Sequence, residues 1–107
     1  MKLTQVRHLV AVAERGSLPA GAEALGVSRD VVVRSIRALE RELGTALLRR
    51  NGPATILTAV GETFVRRAAA ALRDLDRACA EVGAEVGAEV GGAGSLVRRA
   101  AGGDPAP

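Results

Sequence analysis

Four stretches of this chain repeat apolar residues at helical spacing, and glycines or a short turn-rich run separate them. In the first, Val6, Leu9, Val10 and Ala13 share one helix face, with Thr4 placed to cap the start and Gly16-Ser17 to close it after Arg15. Ser17 also opens a short second helix, Leu18 to Leu25, whose first turn tolerates Pro19 because no N–H is needed there. The third runs between Ser28, a capping hydroxyl, and Gly44, a cheap left-handed stop; Val32, Ile36, Leu39 and Leu43 form its stripe. The fourth starts after Thr58, has Glu62 in its opening turn, and carries Phe64, Ala68, Leu72, Leu75, Cys79, Val82 and Val86 at spacings of three and four. Between the third and fourth lies Arg49-Arg50-Asn51-Gly52-Pro53-Ala54-Thr55-Ile56-Leu57, turn residues flanked by β-formers. Asn-Gly is a strong hairpin signal, so this run predicts a small two-stranded wing.

The second and third helices are joined by Gly26-Val27, with Ala22 small enough for close approach, Gly26 free to take positive φ, and Val27 placed to plug the angle. These offsets predict a helix-turn-helix. Opposite its apolar stripe the third helix carries Arg29, Asp30, Val33, Arg34, Arg37 and Arg41, an arginine-rich face suited to a major groove. Two bland readings stand beside it: a solvated surface helix with Arg–Glu pairs through Glu40 and Glu42, and a helical hairpin in a non-binding bundle. The wing, with Arg49 and Arg50 at its tip, has an ordinary exposed loop as its plain alternative. The expected architecture is mainly α: a winged helix-turn-helix over 1–58, a long helix over 59–90, and a Gly/Ala/Pro-rich disordered tail over 91–107.

Composition sharpens this picture. The chain has 107 residues and is 48% apolar with Phe64 its only aromatic, so a core of Leu, Val, Ile and Ala is expected, which suits packed helices. The net charge of +3 is unevenly spread: residues 1–58 hold nine Lys/Arg against five Asp/Glu, and residues 59–107 hold six against seven. After Lys2 every base of the first half is arginine, whose planar fork matches phosphate and guanine edges. No apolar run reaches the roughly 20 residues of a membrane span. One cysteine gives no internal disulfide framework and suits a reducing cytoplasm.

A helix from Ala59 to Val90 would reach about 48 Å. Joined to so small a domain it is expected to find no cover for its stripe within its own chain, so a second copy of the same helix is the economical partner. From Glu81 a tetrad repeat, Glu-Val-Gly-Ala, brings in Gly83 and Gly87, each costing about 1 kcal/mol of helix propensity. Fraying is expected there.

These residues resemble the N-terminal domain of LysR-type transcriptional regulators. The resemblance is carried by Leu3, Gln5, Arg7, Val10-Ala-Val-Ala-Glu14, Gly16-Ser17, Ala22, Leu25, Val27-Ser28, Arg34, Ile36-Arg37, Leu39-Glu40, Leu43-Gly44, Leu47, Arg50, Leu57-Thr58 and Gly61, and covers roughly residues 1–90. It implies a homodimer through antiparallel linker helices, each dimer placing two third helices in successive major grooves of an interrupted inverted repeat of double-stranded DNA. Arg29, Asp30, Val33 and Arg34 are then the candidates to read bases, with Asp30 either accepting from cytosine or pairing with Arg34 to restrain it. Ser28, Arg37, Arg49 and Arg50 are the candidates to hold phosphate. A cytoplasmic, nucleoid-associated location follows.

The chain departs from the family pattern where bases would be read. Arg29-Asp30 stands for the usual Gln-Pro, Val33 for serine, and Ser35 for a frequent glutamine; Pro53 replaces a common wing arginine, and Leu9, Leu18 and Leu48 replace phenylalanines. Family members continue into an effector-binding domain, whose first strand Gly94-Ser-Leu-Val-Arg-Arg99 faintly resembles. The expectation is therefore a regulator with no small-molecule effector. A second expectation, from another class, is an interaction protein whose linker helix captures a full-length LysR-type subunit.

No nucleophile–base pair, phosphate loop or carboxylate dyad is visible, so no enzyme and no cofactor is expected. His8 lacks a neighbouring ligand for a metal. Cys79 reads as a small packed residue before a redox switch, and Asp74 and Asp76 as solvated helix-face charges.

Overall fold

The structure, a computed structural model, describes residues 1–90, with the helices α1 (Leu3–Arg15), α2 (Leu18–Leu25), α3 (Arg29–Leu43) and α4 (Ala59–Val90) and the strands β1 (Leu48–Asn51) and β2 (Ala54–Leu57). The expected tail and the strand-like Gly94–Arg99 lie outside the described residues. The helix starts and stops follow the caps, with one exception. Ser17 accepts from the Ala20 N–H at 3.1 Å, and Ser28 from the Val31 N–H at 3.2 Å. Thr58 accepts from the Gly61 N–H at 2.9 Å and donates to the Ala46 carbonyl at 2.8 Å. The exception is Thr4, which does not cap α1: the helix begins two residues earlier, with Lys2 at the cap position, where the Lys2 N–H donates to Gln5 Oε1 at 3.1 Å.

The three short helices pack pairwise around Leu9, Val12, Ala22, Val32, Ile36, Leu39 and Leu47, all buried. Leu43 and Val27, both expected to pack inward, are absent from this set. Leu43 is 40% exposed, because the helix is about to stop at Gly44, and Val27 is 36% exposed. Ala22 and Val32 are buried in the cluster and Leu25 packs against it. Close approach is also set one residue before Ala22: a Cβ on Gly21 would stand 2.8 Å from Val12 Cα, so α1 and α2 touch backbone to side chain at Gly21.

β1 and β2 pair antiparallel with Leu48 opposite Leu57, Arg49 opposite Ile56, Arg50 opposite Thr55 and Asn51 opposite Ala54. Asn51 is thus a strand residue, and the two-residue loop is Gly52-Pro53. Gly52 takes φ 62° and proline holds the next φ negative, the sign order of a type II′ hairpin loop.

A second apolar cluster corrects the expectation about α4. Val6 and Val10 of α1 pack against Ala69 and Leu72, with Leu72 only 7% exposed, and Phe64 touches both clusters. The first turns of α4 therefore do find cover within the chain, and one compact unit runs from Met1 to Leu72. A Cβ at Gly61 would sit 2.2 Å from the Leu47 carbonyl oxygen, so glycine is what lets α4 start against that backbone. From Arg73 onward a second unit begins, with Leu75, Cys79 and Val82 exposed and Val86 half-buried.

Candidate nucleic-acid interface

α3 positions the arginines by periodicity. At 100° per residue its stripe Val32-Ile36-Leu39 faces the core, which turns Asp30, Arg34 and Arg41 directly outward. Arg29, Val33 and Arg37 fall on the flank toward the wing. There they border a cleft of about 250 Å³ with Leu18, Ile36, Glu40, Leu48, Arg49, Arg50 and Thr55. Four of the eight expected contact residues are thus arginines around one opening, with Val33 beside them. In the strand, alternation sends Arg49 and Arg50 to opposite faces of the ribbon. Both are exposed.

The remaining expected residues are placed less uniformly. Ser28 Oγ is already an acceptor in the α3 cap, and its O–H is left to donate outward. Arg34 Nε donates to the main-chain carbonyl of Asp30 at 3.4 Å, not to its carboxylate, so the ion pair, one of the two alternatives for Asp30, is not formed. Among the described residues the guanidinium groups of Arg29, Arg49 and Arg50 have no hydrogen bond or ion pair. Arg37 approaches Glu40 Oε1 at 3.9 Å while 69% exposed, a pair too solvated to hold it strongly.

Glu40 and Glu42 each also have a partner outside α3. Glu40 Oε2 accepts from the Leu47 N–H at 2.8 Å and the Leu48 N–H at 3.1 Å, tying α3 to the start of β1. Glu42 pairs with the terminal ammonium of Met1. The role of Glu40 was not visible in the sequence: only the turn at Gly44 folds residue 47 back onto residue 40. Its one legible signal was its place among the residues of the family resemblance.

Other chemistry is sparse. Among the described residues no three His, Cys, Asp or Glu side chains gather as metal ligands, and no helix is long and apolar enough to cross a membrane. His8 is buried, and burial lowers its pKa.

Three packed helices, the third of them basic on its free side, followed by a hairpin, define a winged helix-turn-helix. Residues 3–62 match the model of the bacterial regulatory helix-turn-helix proteins of the lysR family, and the chain belongs to that family. It is 41% identical over 68 residues to the HTH-type transcriptional regulator ClcR of Pseudomonas putida, which covers 64% of this chain and 23% of ClcR. It is 45% identical over 76 residues to the SDS degradation transcriptional activation protein of a Pseudomonas species, covering 71% and 24% of the two chains. The chain thus spans about a quarter of the length of these relatives. Among solved structures, the DNA complex of the CbnR DNA-binding domain superposes with TM-score 0.71 at 35% identity, covering 79% of this chain and 98% of that one. The BenM DNA-binding domain on catB site 1 DNA gives TM-score 0.72 at 32% identity, over 77% and 91%.

Proposed function

We propose that this chain is a sequence-specific DNA-binding regulator of transcription that works as a dimer. The observation that carries the reading is the cleft between α3 and the wing, which Arg29, Val33, Arg37, Arg49 and Arg50 line together. The 15 residues of α3 make a rod of about 22 Å, which fits a major groove. In this reading Arg29, Val33 and Arg34 meet base edges, while Ser28, Arg37, Arg49 and Arg50 grip phosphate. The likeness to CbnR and BenM domains solved on DNA supports it.

The second half of the reading is α4. Leu75 and Val82 are 40% and 53% exposed and continue the stripe of Phe64, Ala68 and Leu72 through Cys79 to Val86. An apolar groove of about 780 Å³ beside the starts of α1 and α4, lined by Leu3, Val6, Val60, Phe64 and Ala68, adds surface for a second copy. Charge favours an antiparallel pairing. Residues 59–74 hold three arginines against two acids, and residues 75–90 one against four, so antiparallel copies set basic against acidic. A dimer of this kind calls for an interrupted inverted repeat.

The test is a titration of the purified chain with random duplex and with its own upstream region at several salt concentrations. Binding should be tight, sequence-dependent and steeply weakened by salt. Arg34→Ala should cost about 1–3 kcal/mol on the preferred sequence and relax preference at one position; Arg37→Ala should weaken every sequence alike and lower the salt slope by about 1. Equal losses on all sequences for both variants would overturn the assignment of roles. Undetectable DNA binding with self-association intact would instead point to an interaction protein that captures a full-length LysR-type subunit.

A further inference from the structure

We infer that Asp30 makes this chain select a cytosine within the stretch of major groove that α3 reads; the inference rests on the DNA-binding reading above. Asp30 stands on the outward line of α3 with Arg34 and Arg41, and it is exposed. Among the described residues its carboxylate has no hydrogen bond or ion pair, because the contact from Arg34 goes to the residue 30 carbonyl instead. A free carboxylate carried among Arg29, Arg34 and Arg37 toward a polyanion is unfavourable wherever it meets phosphate.

It becomes favourable only against a hydrogen-bond donor, and the major groove offers two kinds. Cytosine presents its N4 amino group with only a C–H beside it. Adenine presents N6 next to the N7 lone pair, which repels a carboxylate, while guanine and thymine present acceptors at the same level. A carboxylate therefore discriminates for cytosine and against the other three bases. The Arg34 contact keeps a guanidinium one turn further along the same line, where a guanine edge is its natural partner.

The test is selection of bound duplexes from a random pool by the full chain, by Asp30→Asn and by Asp30→Ala. The wild-type chain should enrich cytosine at one position of each half-site by about tenfold over the next base. Asp30→Asn should replace it with adenine, because an amide can both donate to N7 and accept from N6. Asp30→Ala should lose preference at that position alone, with the rest of the site unchanged and overall affinity for random duplex raised. Thermal melts matching the wild-type chain would show that the variants fold. Retention of the same cytosine by both variants, or a uniform change at every position, overturns the inference while leaving sequence-specific binding intact. A wild-type chain that enriches no sequence overturns the DNA-reading proposal itself, and this inference with it.

Discussion

His8 is the one histidine of the chain, and α1 turns it into the interior, where its Nδ1 has no hydrogen-bond partner among the described residues. Burial disfavours the imidazolium, so the folded-state pKa lies below its ordinary value of 6.5. The sign follows directly. Above pH 6.5 the ring is neutral in both states and its contribution to stability is complete. As the pH falls below 6.5 the unfolded chain takes up the proton first, and stability declines until the folded pKa is passed. Melting temperature should therefore drop on acidification through that window, and His8→Leu should flatten this part of the profile. A drop of equal size in the variant would assign it to the carboxylates.

At the scale of elements, the joint between α3 and the wing depends on Glu40. Its carboxylate serves two main-chain donors, the N–H groups of Leu47 and Leu48, at the point where Leu47 enters the core. Glu40→Ala leaves both donors short of a partner and should cost about 1–3 kcal/mol in a urea titration. Glu40→Gln keeps one acceptor oxygen and should recover part of that. Both variants should also bind DNA less tightly, since β1 carries Arg49 and Arg50 away from a fixed position beside α3. Unchanged stability in Glu40→Ala would show that water replaces the carboxylate without loss. The same contact engages Glu40 Oε2 with the main chain and leaves only Oε1 toward Arg37.

At the scale of the whole molecule, the stripe on α4 is covered along one part of its length and exposed along another. Ala69 and Leu72, with Phe64 and Ala68, close the second core cluster against Val6 and Val10, whereas Leu75 and Val82 remain exposed. A change confined to the exposed part should therefore separate association from folding. The full chain carrying Leu75→Glu and Val82→Glu should sediment as a monomer with the melting transition of residues 1–72 retained. It should also lose affinity for an inverted repeat while still binding a single half-site weakly, as expected when two linked contacts become one. Persistence of the dimer in this variant would move the interface to the groove beside the start of α1.

Periodicity and capping chemistry were enough to read α2 and α3 to their ends and the start of α4, because apolar spacing and Ser, Thr or Gly at the boundaries are local properties of the chain. The arginine face of α3 was legible for the same reason: once the stripe is known, the opposite side is known. Tertiary structure alone decided the rest. Nothing local shows that Glu40 reaches Leu47, that Gly21 and Gly61 sit where a Cβ would strike another segment, or that Leu72 is covered while Leu75 is not. Each of those facts depends on which distant residue the folded chain brings within a few ångströms, and spacing along a sequence carries no record of that.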